Sequence, residues 1–102
     1  MQVDIVTEAT EELYQAFQRL IPQLTTNNPP PSLNGLTALL RDSSSTLVVA
    51  RTERGEIVGA LSLVVYRVPT GIRSIIEDVI VDSSARGEGI GTPIVVVSAR
   101  GT

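Results

Sequence analysis

Residues 76–91 read IEDVIVDSSARGEGIG and hold the most informative pattern in the chain. The first part is rich in β-branched residues and predicts a strand. A short polar loop follows, and glycines then alternate with other residues where a helix would begin, at Gly87, Gly89 and Gly91. Glycine lets backbone N–H groups converge on an anion at a helix N-terminus. The stretch therefore predicts a phosphate-binding turn, with a purely geometric strand-to-helix turn as the alternative.

Two common phosphate-binding motifs do not fit this turn. The dinucleotide-binding motif needs the spacing G-x-G-x-x-G and an acidic residue about 20 positions later. Here the spacing is G-x-G-x-G, and no acidic residue follows Glu88. The P-loop motif requires a lysine, and all 8 basic residues of this chain are arginine. The residues therefore exclude both motifs.

Length and composition indicate one globular domain over residues 1–102. Hydrophobic residues make up 42% of the chain and charged residues 19%, which is typical of a folded domain and not of a disordered segment. Only 3% of the residues are aromatic, so leucine, valine and isoleucine must fill the core. The net charge of −3 and the lack of basic runs argue against a nucleic-acid surface.

The missing residue types exclude several kinds of site. The chain has no cysteine and no histidine, which rules out disulfides, zinc sites of the usual ligands and Ser-His-Asp triads within one chain. We expect no metal. The lack of cysteine fits a reducing cytoplasm, and we expect a cytoplasmic protein. No signal peptide is visible, and no apolar run approaches the ~20 residues that a membrane span needs.

The first half of the chain predicts a strand and two helices. Residues 3–6 are a strand candidate, and Thr7 is a plausible cap for a first helix. Apolar residues recur at helical spacing up to Pro22, which is expected to stop that helix. Residues 25–31 read TTNNPPP and predict a loop. Ser32 is then expected to cap a second, leucine-rich helix.

The second half predicts an antiparallel meander of three strands, over residues 46–52, 57–67 and 72–81. Gly55 is expected to supply a positive φ in the first hairpin. The third strand is almost continuously apolar and is expected to be central, with both faces covered. With the glycine loop and a helix after it, the order predicts an α+β (mixed α/β) fold.

These residues resemble the GNAT superfamily of acetyl-CoA-dependent N-acetyltransferases. The main motif of that family is a strand followed by [QR]-x-x-G-x-[GA], and Arg86, Gly89 and Gly91 occupy its fixed positions. The preceding strand ends in VIVD at residues 79–82, which is similar to the fourth strand of the family. The upstream order of one strand, two helices and three strands also agrees. The resemblance covers essentially the whole chain.

The resemblance implies a transferase, specifically an acyltransferase. It would move an acetyl group from acetyl-CoA to a primary amine of a small molecule or peptide by direct attack. Pantetheine would pair with the backbone of the fourth strand, and N–H groups of the glycine loop would bind the pyrophosphate. Glu88 departs from the family's preference for a basic or neutral residue in this loop, and an acid beside the pyrophosphate is expected to weaken coenzyme binding. The implied coenzyme-binding residues are Val79, Ile80, Val81, Arg86, Gly87, Glu88, Gly89, Ile90, Gly91 and Thr92.

Two adjacent acids precede this site. In an extended strand, Glu77 and Asp78 would point to opposite faces of the sheet. Similar pairs occur in GNAT branches that acetylate small amines, and the resemblance implies that Glu77 is the catalytic base, with Asp78 as an orienting or structural acid. The alternative is that both are solvated or ion-paired strand acids, for example with Arg73.

The resemblance also implies C-terminal strands that this sequence lacks. Residues 94–97 are consecutive β-branched residues, which could form a short helix or a strand. A truncated domain, a homodimer in which each protomer covers an exposed strand edge, and an inactive remnant are all consistent with this pattern. The alternative function is a non-catalytic acyl-CoA-binding or assembly module.

Overall fold

The structure is a computed structural model that describes residues 2–86. The glycine loop, the helix expected after it and residues 94–97 lie outside this range. The strands are β1 (Gln2–Val6), β2 (Ser45–Arg51), β3 (Ile57–Val68) and β4 (Gly71–Val81). The helices are α1 (Glu11–Leu24) and α2 (Leu33–Arg41), and a 3-10 turn covers Ser83–Ala85. This order confirms the predicted α+β fold.

The described strands form one antiparallel sheet in the order β1-β2-β3-β4. Val48 lies at its centre, opposite Ile5 of β1 and Leu61 of β3. Successive strands are joined by short turns, apart from the helical connection between β1 and β2. In the first hairpin, Gly55 has a φ of 84°, as predicted from its place in the turn.

Helix α1 begins later and ends later than predicted. Thr10, not Thr7, is the N-cap, and its Oγ1 accepts a hydrogen bond from the Leu13 N–H at 3.1 Å. Pro22 lies inside the helix instead of ending it. Proline removes one N–H donor, but the Thr25 N–H still donates to the Ile21 carbonyl at 3.0 Å and closes the last turn.

Helix α2 begins where the sequence predicts. The Ser32 Oγ accepts a hydrogen bond from the Gly35 N–H at 3.0 Å and so satisfies one free donor of the first turn. A Cβ added at Gly35 would lie 3.3 Å from that Oγ. Glycine therefore costs helix propensity here but leaves room for the cap.

Apolar side chains from both faces of the sheet are buried. On one face the sheet packs against α1 and α2, with Phe17, Leu20 and Leu36 among the buried helix residues. On the other face Val48 and Leu61 form a smaller cluster that Ala85 of the 3-10 turn joins. The helices thus cover only one face, and this arrangement positions the candidate site between them and β4.

Strand β4 differs from the expectation of a covered central strand. Within residues 2–86 it pairs with β3 alone, and every residue from Gly71 to Val79 is exposed. Ile72 is 58% exposed and Ile75 is 45% exposed. The apolar run led to the wrong expectation because composition does not reveal whether a strand has a neighbour on its second edge.

Candidate active site at the carboxyl end of β4

A β-bulge interrupts β4 where its two acids lie. Glu77 is opposite Ser62 and Ile80 is opposite Ala60, so two residues of β4 face the single Leu61 of β3. Asp78 is one of them and has a φ of 53°. Aspartate tolerates this left-handed conformation better than most residues do. The bulge therefore bends β4 next to the predicted catalytic residue.

The bulge lies where β4 borders a cavity, with Glu77 on the side of the sheet that faces the helices. Glu77 is in register with Ser62, and directly opposed residues share a face. Ser62 and Asp78 both line one cavity between the sheet and the helices. The extra residue shifts the alternation of the strand, and the expectation that the two carboxylates point to opposite faces stays a prediction.

The cavity has a volume of about 340 Å³ and lies between α1, α2 and the sheet. The connection between the helices contributes Asn28, Pro29 and Pro31 to its lining, so the proline-rich segment closes one side. Ile80, one of the predicted coenzyme residues, is 3% exposed and contributes to the lining. The end of β4 thus borders a partly open cavity that Asp78 also lines.

The backbone at the end of β4 has groups that point away from β3. The Asp82 N–H donates to the Val58 carbonyl at 2.8 Å. Because the backbone groups of successive strand residues alternate in direction, those of Val81 point toward the outer edge. Arg86 Nε donates to the Val81 carbonyl at 3.1 Å. Arg86 therefore contacts the same strand edge that the sequence assigns to the coenzyme.

Asp82 follows β4 and holds its end in place. Its carboxylate accepts hydrogen bonds from Arg19 Nε at 2.8 Å and from the Ser84 N–H at 3.1 Å. The Arg19 guanidinium also donates to the Ile57 carbonyl, and Gln23 Oε1 accepts the Ser83 N–H at 2.8 Å. Two side chains of α1 thus bind the turn that leads from β4 toward Arg86.

These contacts change the acidity of Asp82. The hydrogen bond from the Ser84 backbone, followed by the one from Arg19, lowers the pKa of Asp82 from 3.8 to about 2, against the opposing effect of burial. This group of residues was not predicted from the sequence. An aspartate followed by two serines after an apolar strand is a signal for a capped turn, but its partners on α1 are distant in sequence.

The other predicted site residues differ in their exposure and in their side-chain contacts. Glu77 is exposed and forms no hydrogen bond or ion pair within residues 2–86, while Arg73 donates to Thr70 Oγ1 at 2.8 Å. The ion pair considered for Glu77 and Arg73 is therefore not formed. Val79 is 44% exposed on β4. The remaining predicted coenzyme residues, Gly87, Glu88, Gly89, Ile90, Gly91 and Thr92, lie outside the described range.

The described part of the chain has neither a metal-binding cluster nor a helix that could cross a membrane. Between residues 2 and 86, no cluster of three or more histidine, cysteine, aspartate or glutamate side chains has the arrangement to hold a metal ion. Neither α1 nor α2 combines the length and the apolar character that crossing a membrane requires.

Comparison of the structure with solved structures gives the same fold in several acetyltransferases. An acetyltransferase from Trypanosoma brucei is 27% identical, with a TM-score of 0.74 over 97% of this chain and 72% of that chain. A tetramutant of the BH1408 protein from Bacillus halodurans is 23% identical, with a TM-score of 0.79 over 98% of this chain and 74% of that chain.

A third similar structure is an aminoglycoside acetyltransferase from an uncultured soil metagenomic sample, solved in complex with sisomicin. It is 21% identical, with a TM-score of 0.80 over 97% of this chain and 67% of that chain. Comparison with curated proteins gives no match. The family model described as Acetyltransferase (GNAT) family matches residues 6–95. A match over most of the chain shows that this protein belongs to the GNAT acetyltransferase family.

Proposed function

We propose that this chain is an N-acetyltransferase that moves an acetyl group from acetyl-CoA to a primary amine of a small molecule or peptide. The observation that carries the proposal is the outer edge of β4. At its carboxyl end this edge presents backbone groups beside a cavity that Asp78 lines and that Glu77 adjoins. Family membership over residues 6–95 supports the same conclusion.

The exposed edge of β4 fits the amide chain of pantetheine. An extended amide chain can add to a free strand edge through main-chain hydrogen bonds. The backbone of Val81 points to that edge, and we assign Val79 and Val81 to this pairing, with Ile80 between them. Arg86 and residues 87–92 are assigned to the pyrophosphate on the strength of the sequence motif.

Glu77 is assigned as the general base. An alkylamine has a pKa near that of lysine, ~10, so it arrives mostly protonated and must lose a proton before it attacks. Glu77 is exposed, lies on the cavity side of β4 and has no other partner within residues 2–86. It would accept that proton directly or through a water. The amine nitrogen then bonds to the acetyl carbon while the bond to sulfur breaks, and acetyl-CoA supplies the activated acetyl group.

A thiol-release assay with a panel of amines tests the proposal. The chain has no cysteine, so every thiol detected comes from the coenzyme. We expect Glu77→Gln to lower kcat about 100-fold, most strongly at low pH where less free amine is present. Glu53→Gln, in the hairpin between β2 and β3, is the control and should retain full activity. An unchanged pH profile in the Glu77 variant would reject the base assignment.

Binding and turnover are measured separately in this test. Binding of acetyl-CoA without turnover of any amine would contradict the enzyme and favour a non-catalytic acyl-CoA-binding module. Failure to bind coenzyme A would contradict both functions. A cytoplasmic location belongs to the same proposal, and the lack of cysteine in the sequence is its support.

A homodimer formed through β4 completes the proposal. Ile72, Ile75 and Ile76 are 58%, 45% and 38% exposed on a strand that has a free edge within residues 2–86. Exposed apolar edges favour pairing with a second chain. We expect a dimer in sedimentation at micromolar concentration, and Ile72→Lys should dissociate it. Ile5→Lys on β1 is the matched control, and a monomeric unmodified chain would contradict this part.

A further inference from the structure

The cavity beside Asp78 has mainly apolar walls, which is unusual for a site that binds a polar substrate. Side chains from α1, α2 and the sheet form its surface, and most of them are apolar. Seven of the lining residues are buried or half-buried leucine, isoleucine, phenylalanine or alanine residues. They are Phe17, Ile21, Leu36, Leu39, Leu47, Ala60 and Ile80.

Asp78 is the one charged residue among those that line the cavity in the described part of the chain. Its carboxylate has no hydrogen bond or ion pair within residues 2–86, although Asp82 nearby is fully bonded. The bulge turns its backbone to a φ of 53°. A single free carboxylate on an apolar cavity is complementary to one ammonium group.

Few other polar groups of the lining are free to bind a substrate. The Pro31 carbonyl accepts from Gln18 Nε2 at 3.4 Å, and Thr25 Oγ1 accepts the Asn27 N–H at 3.1 Å. The Ser62 hydroxyl and the Asn28 amide are without partners within residues 2–86. A substrate with many hydroxyl or ammonium groups would leave most of them unpaired against apolar walls, which disfavours its binding.

The size of the cavity limits the occupant. The cavity volume is about 340 Å³. If each non-hydrogen atom of an occupant takes the volume of one water molecule, about 30 Å³, the cavity holds roughly ten such atoms. This is near the lower end of small-molecule sites. The cavity therefore suits a compact apolar group and not an oligosaccharide.

We infer that the acceptor is a primary amine with a compact apolar body, such as an arylalkyl or branched alkyl group. The body fills the cavity between α1 and α2, and the ammonium pairs with Asp78 until Glu77 removes its proton. This inference rests on the proposed function and adds the class of acceptor to it. Asp78 acts as a positioning residue that selects a cation, whereas Glu77 acts on the proton.

Equilibrium binding of three probes without acetyl-CoA tests the inference. The probes are 2-phenylethylamine, the neutral analogue 2-phenylethanol and the hydroxyl-rich amine glucosamine. We expect 2-phenylethylamine to bind about tenfold more tightly than either of the others, because only it has both the charge and the apolar body. Equal or tighter binding of glucosamine would overturn the inference, and so would the absence of binding by all three probes.

Three variants locate the interaction. Asp78→Asn keeps a residue that tolerates the left-handed conformation. This variant should bind 2-phenylethylamine and 2-phenylethanol about equally tightly. Leu24→Lys puts a cation on the cavity lining and should weaken amine binding at least tenfold. Leu33→Lys is matched in exposure, at 41% against 40%, but lies outside the lining and should change nothing. Equal losses in both leucine variants would overturn the inference.

Thiol release, measured afterwards with the same amines, separates this inference from the proposed function. Binding of 2-phenylethylamine without thiol release would contradict the enzyme and leave the assignment of the cavity supported. Thiol release with glucosamine alone would support the enzyme and overturn the assignment of the acceptor. Unfolding curves for each variant confirm that the protein measured is folded.

Discussion

Asp78 and Asp82 lie close together at the end of one strand, but their surroundings are opposite. Asp82 is 6% exposed and bonded to Arg19 and Ser84. Asp78 is exposed, lines a cavity and has no partner within residues 2–86, on a backbone of positive φ. Asp82 makes hydrogen bonds that stabilise the fold, whereas Asp78 has a strained backbone and a carboxylate without such partners in the same range.

The same substitution at both positions should separate these roles. Asp82→Asn removes the charge from three hydrogen bonds, one from Arg19 and two from Ser84. It should lower the free energy of unfolding by about 2 kcal/mol, a value that allows for screening at the partly exposed Arg19. Asp78→Asn breaks no bond within residues 2–86 and should change it by less than about 0.5 kcal/mol. Urea unfolding measures both. Equal losses of stability in the two variants would contradict the different roles of the two acids.

The pH dependence of the free energy of unfolding should also report on Asp82. Its pKa falls from 3.8 to about 2 on folding, so between these values the unfolded chain binds more protons and stability rises with pH. The contribution is complete above pH 4, amounts to about 2 kcal/mol and is lost as the pH falls toward 2. The Asp82→Asn variant should lack this slope when its unfolding is measured across that range.

Asp42 supplies a control for the titration. Hydrogen bonds from Ser44 lower the pKa of Asp42 as well, so part of the acid dependence is common to both proteins. The difference between the unmodified chain and the Asp82→Asn variant isolates Asp82. Parallel curves for the two proteins would show that folding does not lower the pKa of Asp82.

Arg19→Lys should weaken the Asp82 contact without removing its charge. The guanidinium reaches both the Asp82 carboxylate and the Ile57 carbonyl, and a lysine ammonium lacks the planar fork that makes both bonds at once. We expect a loss of about 1 kcal/mol in the free energy of unfolding. Arg41→Lys at the end of α2 is the control, because Arg41 has no hydrogen bond within residues 2–86, and it should be neutral.

A small gain in stability is expected for Asp78→Gly. Glycine adopts a φ of 53° without a steric cost, although it also increases the entropy of the unfolded chain. The net result should be a gain of about 0.5 kcal/mol in stability, together with weaker amine binding. Asp4→Gly on β1, where no positive φ occurs, should be destabilising. A loss at Asp78 as large as at Asp4 would show that the bulge stores no strain.

Local patterns in the sequence predicted most of the described fold. The apolar spacing of α1, the Ser32 cap and the Gly55 hairpin each depend on residues near one another in the chain. The position of β4 at the edge of the described sheet could not be predicted in this way. Whether a strand is central depends on what lies beside it, and a run of valine and isoleucine is compatible with both answers.

The candidate site was predicted less completely than the fold. The motif indicated Glu77 and Arg86 as residues of interest, and these assignments remain proposals. The bulge at Asp78 has no glycine to signal it, so this irregularity of β4 was not predicted. The cavity and the contact between Arg19 and Asp82 bring together residues far apart in the sequence, and no local pattern contains such pairs.

Helix α1 has a mechanical consequence for any reaction at this site. One of its faces provides Phe17, Ile21 and Leu24 to the cavity, while Arg19 and Gln23 bind the turn after β4. The helix therefore couples the cavity to the turn after β4. An occupant that displaces α1 also displaces the end of β4, and by thermodynamic reciprocity whatever binds that strand acts back on the cavity.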